Sequence, residues 1–427
     1  METPNNQLYV PELFTFIENS PSPFHTIESA MALLNRAGFT RLFEGDDWKL
    51  LQGHSYYVVR NDSAIIAFRI PAQKAGGFHM AASHSDSPSF KVKEQPELTL
   101  DQAYTKLNVE KYGGMIMSTW FDRPLSIAGR IYVHTENGLE KRLIHFDKDL
   151  LVIPNMAIHM NRTANDGMKY SAQTDMCPVL LTSADKTAFK RLLAGEAGVA
   201  PEQILGQDLY LYARQPGLVA GADDMMIMSP RLDDLECAYG SLKALTESEP
   251  KEYITVCAVL DNEEVGSGTR QGADSDFLGN TLKRIVYGLG GGETDYMKAL
   301  ADSFLISADN AHSLHPNHPE KADLSNRPLL NGGIVIKYSG NQKYTSDAFS
   351  GSVMKKLCMD ANVPYQVFYN HSDVLGGSTL GNISTAHVSV ASVDIGLAQL
   401  AMHSAVETAG VKDIGYLVQV LKQYYSL

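Results

Sequence analysis

The apolar positions near the N-terminus repeat with the spacing of two short helices. Pro11 precedes an apolar stripe that begins at Leu13, and a second stripe begins at Ile27 and stops at Gly38. Proline is favoured in the first turn of a helix and glycine just after the last turn, so both stripes have ordinary helix ends. The spacing therefore predicts two helices that pack through these stripes.

Shorter apolar runs follow and predict strands. Residues 56–60 and 64–70 flank a turn-forming Asn-Asp-Ser sequence, which is typical of a hairpin. Residues 78–83 form another apolar run that leads directly into His84. We therefore expect His84 to stand at the end of a buried strand.

The pattern changes twice in the rest of the chain. From about residue 91 to 221, short strand-like runs such as 129–134 and 141–146 alternate with turns, and long helical periodicity is scarce. After Met228, helix and strand patterns alternate, which is typical of an α/β sheet. The predicted elements are a helix at 236–245, strands at 253–260, 304–307, 334–338, 365–369 and 388–395, and a last helix at 414–425.

Composition narrows the class of protein. The 427 residues carry 36 Lys and Arg against 49 Asp and Glu, a net charge of −13, which disfavours nucleic acid and anionic membranes as partners. Four scattered cysteines without a C-x-x-C pair indicate neither a disulfide framework nor a thiolate zinc site. No apolar run approaches the roughly 18 residues of a membrane span, and no basic residue precedes Arg36, so a secretory signal is not indicated. We expect a cytoplasmic protein.

Residues that carry chemistry follow several predicted strands. Glu263 and Glu264 belong to a group of three carboxylates directly after strand 253–260, and His84 and Asp86 follow strand 78–83. Strand ends are where α/β enzymes place their sites. Taken singly, each string is explained as well by a solvated acidic turn or a surface turn.

Three further residues have the same ambiguity. Asp233 opens the helix predicted at 236–245, where a helix cap is the simpler explanation. Asp309 follows strand 304–307, and His403 stands in an apolar stretch, where a histidine usually belongs to the core.

A metal centre is predicted by six of these side chains together: His84, Asp233, Glu263, Glu264, Asp309 and His403. Two imidazoles and four carboxylates are ligands suited to a pair of zinc-like ions. One bridging carboxylate, one histidine and one carboxylate for each ion, and one carboxylate left to activate a water account for all six groups.

Several sequence segments, from about residue 20 to the last helix, together resemble those of the aspartyl aminopeptidase family of di-zinc exopeptidases. They are SPSPFHT, HSDSPSF, RLDDLECAYGSLKAL, DNEEVGSGTRQGADSDFL, SADNAHSLHPN, NGGIVIKYSGNQKYTSDA, GGSTLGNIS and LAMHSAVE. The resemblance implies two zinc ions per subunit, with manganese or cobalt as substitutes that the same ligand types accept.

The resemblance also implies a role for each side chain: a bridging ligand, two ligands for each ion, a general base, and the carboxylate that orients the first histidine. Asp233 would bridge the two ions, His84 and Asp309 would bind one ion, and Glu264 and His403 would bind the other. Glu263 would be the general base, and Asp86 would orient His84.

Two residues are implied to contact substrate. Lys337 matches the family lysine that reaches an acidic first residue, the alternative being a solvated lysine at a strand end. His159 lies in VIPNMAIHMNR, which resembles a segment that contributes a histidine to the neighbouring subunit's site, the alternative being a packing histidine.

Two further motifs are interpreted as pocket loops. His312, His315 and His318 invite a second metal site, but the intervening prolines prevent regular helical spacing, which favours a loop that shapes the pocket. The glycine-rich stretch 375–379 lacks the lysine of a phosphate loop, and it suits a close approach of backbone to substrate.

The implied architecture is an α/β catalytic domain of residues 1–88 and 224–427, built on a mixed sheet, with a β-rich dimerisation domain inserted at 89–223. The implied assembly is a homo-oligomer, a dodecamer built from dimers, that admits short peptides. The predicted function is zinc-dependent removal of the N-terminal residue of such peptides, with preference for Asp or Glu. The alternatives are an aminopeptidase of broader specificity, another di-metal amide hydrolase such as a deacetylase or carboxypeptidase, and a non-catalytic self-assembling shell protein.

Overall fold

The computed structural model describes residues 6–374, 376–377 and 379–427. Its α-helices are α1 (Val10–Glu18), α2 (Pro23–Arg36), α3 (Ala172–Asp175), α4 (Ala188–Ala197), α5 (Leu232–Thr246), α6 (Phe277–Gly288), α7 (Glu293–Ala301), α8 (Ala348–Asp360), α9 (Leu380–His387) and α10 (Asp413–Tyr425).

The strands alternate with these helices in the second half of the chain and dominate its middle. They are β1 (Thr40–Leu42), β2 (Ser55–Arg60), β3 (Ala64–Arg69), β4 (Phe78–His84), β5 (Ser89–Leu100), β6 (Tyr104–Tyr112), β7 (Leu125–Thr135), β8 (Gly138–His145), β9 (Val179–Leu181), β10 (Ile204–Ala213), β11 (Leu218–Ala220), β12 (Met226–Ser229), β13 (Ile254–Leu260), β14 (Phe304–Ala308), β15 (Ala311–His312), β16 (Ile334–Lys337), β17 (Tyr365–Phe368), β18 (Ala391–Gly396), β19 (Ala398–Leu400) and β20 (Glu407–Gly410).

The chain divides into two compact units. The first takes in the chain up to Asp86 together with Gly217–Met402 and Glu407–Leu427, and the second takes in Ser87–Pro216 and His403–Val406. The catalytic and dimerisation roles assigned to the two sequence domains stay predictions.

A nine-stranded mixed sheet organises the first unit, in the order β1-β2-β3-β13-β4-β14-β18-β16-β17. Successive side chains of a strand point to opposite faces, and the sheet has a buried core on each side. Tyr57 and Ile65 belong to one core, with α1, α2, α5, α8 and α10, while Val58 and Ile66 belong to the other, with α6. A smaller sheet, β11-β12-β20-β19-β15, completes this unit.

The second unit is built on a six-stranded sheet in the order β8-β7-β10-β5-β6-β9. Its core takes alternate residues of the strands, among them Ile131 and Val133 of β7 and Leu209 and Leu211 of β10. The prediction of an α/β fold with a β-rich middle segment is confirmed by these elements.

Some predicted bounds were wrong. The strand predicted at 388–395 begins at Ala391, because Val388 still closes the last turn of α9 through its backbone N–H to Ser384. The middle segment also contains the ten-residue helix α4, whose buried face includes Phe189 and Leu193. No helix among the described residues is both long and apolar enough to cross a membrane.

Candidate functional site

Three neighbouring parallel strands place the candidate residues at one edge of the nine-stranded sheet. β13, β4 and β14 lie side by side and run in the same direction. β4 ends at His84, β13 leads into a short 3-10 turn at Glu263–Val265, and β14 is followed by Asp309. Since the carboxyl ends of parallel strands share an edge, residues 84, 263 and 309 meet although they are far apart in the sequence.

His84 is oriented by its neighbours. Its Nδ1 lies 3.0 Å from the backbone oxygen of Asp86 and 3.4 Å from Oδ1 of the same residue. A carbonyl oxygen only accepts, so Nδ1 carries a proton, and a cation that displaces the proton of Nε2 would bind the lone pair of that nitrogen. Nε2 faces Oδ1 of Asp233 at 3.5 Å and Oδ1 of Asp309 at 3.9 Å.

Two adjacent aspartates enter from the start of α5. Asp233 and Asp234 have non-helical backbone angles there, and both side chains are buried. Asp234 Oδ2 accepts the backbone N–H of His84 at 3.0 Å, and the backbone N–H of Asp233 donates to Glu407 Oε2 at 3.0 Å. These two contacts fix the start of α5 against β4 and β20.

Asp86 holds the acidic turn after β13. Its Oδ1 and Oδ2 accept the backbone N–H groups of Glu263 and Glu264, each at 3.2 Å. The same carboxylate lies beside His84 Nδ1, so one buried side chain orients a histidine and two glutamates. The role predicted for Asp86 stays a prediction, and this geometry supports it.

The buried charges shift the protonation of the group. Burial raises the pKa of Glu263 to about 8, with further contributions from the neighbouring aspartates. Burial alone would lower the pKa of His84, but the charge of Asp234 and hydrogen bonding to the other carboxylates outweigh it and raise the pKa well above its usual range. Carboxylates packed this closely need protons or cations to offset their repulsion.

The donor set fits divalent cations. One ligand atom from each of His84, Asp233, Asp234 and Asp309 lies within 4.8 Å of all the others, and His84, Glu263 and Glu264 form a second such group. Ligand atoms about 2.1 Å from a tetrahedral zinc ion lie about 3.4 Å apart, which is close to the 3.5 Å between His84 Nε2 and Asp233 Oδ1. Imidazole and carboxylate ligands suit zinc, and manganese or cobalt as well.

Comparison with known proteins identifies the family. The family model described as "Aminopeptidase I zinc metalloprotease (M18)" matches residues 16–425. A relative from Clostridium novyi (strain NT), "Probable M18 family aminopeptidase 2", is 44% identical over 431 residues, which cover 99% of this chain and 100% of the relative.

This chain belongs to the M18 family. It is accordingly an aminopeptidase of a zinc metalloprotease family, a hydrolase of peptide bonds. The resemblance that the sequence motifs carry is thereby confirmed at the level of the family.

Solved structures agree with the M18 assignment. The structure described as "Cryo-EM structure of the Ape4 and Nbr1 complex" has a TM-score of 0.94 and 34% identity, and the match covers 97% of this chain and 85% of that one. The structure described as "Structure of S. cerevesiae mApe1 dodecamer" has a TM-score of 0.86 and 25% identity, with 99% and 97% covered.

Lys337 of the M18 chain lies beside a proposed metal ligand. Its side chain is buried, with the residue 2% exposed, and Nζ lies 3.4 Å from Asp309 Oδ2. Nζ also donates to the backbone oxygen of Asn310 at 2.9 Å. Burial lowers the pKa of Lys337, but the charge of Asp309 outweighs it and raises the pKa, so the ammonium stays charged.

Two predicted residues belong to the second unit. His403 has its Nδ1 3.1 Å from the backbone oxygen of Gly114, within the same unit. His159 is exposed in a turn near Asn155, whose side chain donates to Asp122 at 2.8 Å. Their roles as a metal ligand and as a contributor to a neighbouring subunit stay predictions.

Neither the histidine motif at 312–318 nor the glycine-rich stretch at 375–379 contributes a group of metal ligands among the described residues. His315 and His318 lie with ring centroids 5.1 Å apart, and the described residues include no group of three metal ligands there. Of the glycine-rich stretch, Leu375 and Ser378 lie outside the described residues. Thr379 is buried and donates from Oγ1 to Asp394 Oδ1 at 2.5 Å.

The structure adds residues that the sequence did not single out. Asp234 directly follows Asp233 in RLDDL, so the sequence signal for it is its adjacency to the predicted bridging ligand. Glu407 and Asn310 gave no local signal, because their contacts to Asp233 and Lys337 depend on the packing of distant segments.

Proposed function

We propose that this M18 chain is a two-zinc aminopeptidase that removes Asp or Glu from the N-terminus of short peptides. The observation that carries the proposal is His84 Nε2, presented by its Asp86 contact to the carboxylates of Asp233 and Asp309. That arrangement supports a metal-dependent hydrolase, and the family match supports an exopeptidase acting at the amino end.

In this proposal each predicted residue keeps one task. Asp233 would bridge the two ions, His84 and Asp309 would help to hold one, and Glu264 and His403 would help to hold the other. When bound, the two ions would supply the Lewis acidity that acidifies a water and stabilises negative charge on the scissile carbonyl.

Glu263 is the proposed general base. Its backbone N–H donates to Asp86, and a glutamate carboxyl held beside the proposed ions can both take and return a proton. It would accept the proton of the attacking water and then give it to the departing amine. Asp86 would keep both Glu263 and His84 in place during these steps.

Lys337 is the proposed determinant of acidic preference. A buried, permanently charged ammonium beside the metal ligands would favour a carboxylate on the first substrate residue. A second candidate, an aminopeptidase of broader specificity, is favoured by one observation: the ammonium already contacts Asp309 and Asn310.

The proposal includes a homo-oligomer built from dimers, up to a dodecamer, in the cytoplasm. The dodecamer in the description of the mApe1 structure supports it, and His159 would reach the neighbouring subunit's site. Light scattering after gel filtration should give about 560 kDa, twelve times the chain mass of 46.8 kDa. A mass of 47 kDa would contradict this part of the proposal.

A panel of aminoacyl chromophores tests specificity. It contains unblocked Asp, Glu and Leu substrates with N-acetyl-Asp as the blocked control. Cleavage of Asp and Glu but not of the other two would support the acidic preference, and preference for Leu would support the broader enzyme. Cleavage of N-acetyl-Asp alone would contradict an aminopeptidase and indicate a deacetylase-like or carboxypeptidase-like enzyme.

A further inference from the structure

A histidine-lined cavity lies in the first unit beside the proposed metal centre. It encloses about 300 Å³, and its wall includes His312, His315, His371, Phe368 and Gln399. The backbone ties this wall to the centre, because His312 follows Asp309 by three residues and Phe368 pairs in register with Lys337.

Gln399 is the unusual member of the wall. It lies on β19 opposite His312 of β15 and is 1% exposed. Neither its Nε2 nor its Oε1 has a hydrogen-bond partner among the described residues. Burying an amide with neither donor nor acceptor paired costs free energy, so a ligand that pairs with both is the simplest reason to retain it.

The amide has the pattern that a peptide group complements. Gln399 offers one donor and one acceptor side by side, and a peptide group presents a C=O and an N–H. Phe368, also buried, supplies an apolar surface against which a side chain can pack.

Two imidazoles of the wall have defined tautomers. Nδ1 of His315 accepts the backbone N–H of Asn317 at 3.2 Å, and Nδ1 of His371 accepts that of Asp373 at 3.2 Å. An imidazole whose Nδ1 accepts carries its proton on Nε2, so both rings present N–H donors. Lys321 also lines the cavity, and this set of donors favours a carboxylate.

We propose that this cavity binds the part of a peptide substrate beyond the scissile bond. Gln399 pairs with the peptide group of the second residue, and the imidazoles of His315 and His371 bind a carboxylate there, either a C-terminus or an acidic side chain. This inference rests on the proposed aminopeptidase function, and it assigns the cavity a task that Lys337 does not have.

Substrates with and without a second residue test the cavity. Asp-Ala-Ala and Asp-Ala-Ala-Ala carry, beyond the scissile bond, the peptide group that Gln399 would bind, whereas aspartyl-p-nitroanilide does not. Gln399→Leu keeps the side-chain size and removes both hydrogen-bonding atoms. The KM for the peptides should rise about 10-fold more than the KM for the anilide, as expected for the loss of one or two uncharged hydrogen bonds.

A matched variant controls for the substitution itself. Gln419→Leu makes the same change on α10, where Gln419 donates to the backbone oxygen of Ala361. It should change the KM of both substrate types equally. Thermal unfolding of Gln399→Leu should show no loss of stability, because the variant removes an unpaired buried amide.

Two results would overturn the inference. An equal change of KM for the peptides and the anilide would mean that Gln399 does not bind the part of the substrate beyond the scissile bond. A wild-type protein that binds no Ala-Asp in calorimetry after metal removal would exclude the cavity as a peptide site even if the metal-loaded enzyme cleaves the anilide. If no substrate is cleaved, the proposed function fails, while weaker Ala-Asp binding by Gln399→Leu than by wild type would still support the cavity.

Discussion

Replacing Asp86 by asparagine should loosen the metal centre without altering a proposed ligand. The carboxylate is buried, accepts the backbone N–H groups of Glu263 and Glu264, and lies 3.4 Å from His84 Nδ1. An asparagine keeps the shape, but its NH₂ group then faces at least one of these donors.

The size of the effect follows from the lost contacts. A hydrogen bond to a charged acceptor contributes about 1.5 to 3 kcal/mol, and losing one such contact near 2 kcal/mol corresponds to about 30-fold in an equilibrium constant. This agrees with the 10- to 100-fold losses typical when a residue that orients a metal ligand is replaced. We therefore expect Asp86→Asn to weaken zinc binding about 30-fold.

The assay is competition for zinc against a chromophoric chelator, which needs no substrate. Asp185→Asn is the matched control, because Asp185 also accepts a backbone N–H, that of Thr187, but lies in the second unit. The control should leave zinc affinity unchanged. A zinc affinity of Asp86→Asn within twofold of wild type would refute the claim that Asp86 orients the ligands.

Three further predictions concern catalysis, specificity and pH. Glu263→Gln should keep zinc but lose most of its kcat, since a glutamine cannot take a proton, whereas His403→Ala should bind zinc more weakly. Measuring the zinc content and the turnover of each variant separates the two effects. Full activity in either variant would contradict the assignment. Lys337→Met should lower the preference for Asp over Leu substrates by at least about 10-fold, as expected for removal of a charge-assisted contact; an unchanged kcat/KM ratio would favour the broader enzyme. His79, stacked between two tyrosine rings, has its pKa lowered by burial from 6.5 to about 4. The unfolded chain therefore binds more protons between these values, so the contribution of His79 to stability is present above pH 6.5 and is lost as the pH falls toward 4, by about 2 kcal/mol between pH 7 and 5. Urea unfolding of wild type and His79→Phe at both pH values should show that the variant loses about this much less; equal losses would contradict the shift.

Elements with a one-sided or fully buried apolar pattern could be predicted from the sequence. The run 253–260 corresponds to β13, and the run 78–83 to β4, because each strand is buried along its whole length. Their parallel pairing could not be predicted from either run alone, since the two strands are about 170 residues apart in the sequence and are brought together by the packing of the whole sheet.

Several helices were harder to predict for physical reasons. α9 begins just after the glycine-rich stretch, where small residues weaken the apolar stripe. α8 has a local start signal in the sequence, since Asp347 caps it by accepting the backbone N–H of Ser350 at 2.7 Å.

The candidate site likewise contains some residues that could be predicted from the sequence and others that could not. His84, Glu263 and Asp309 follow strands, so the sequence could place them at one edge of a sheet before any coordinates. Gln399 and Glu407 could not be found, because what matters is which atoms pack around them: an unpaired amide in one case and the backbone of Asp233 in the other.

The most direct test of the two-zinc proposal is titration of zinc into chelator-treated protein while the release of aspartate from Asp-Ala is followed. The account predicts no release without metal and activity that saturates at two zinc ions per chain. Full release of aspartate from metal-free protein, or activity that saturates at one zinc ion per chain, would contradict it.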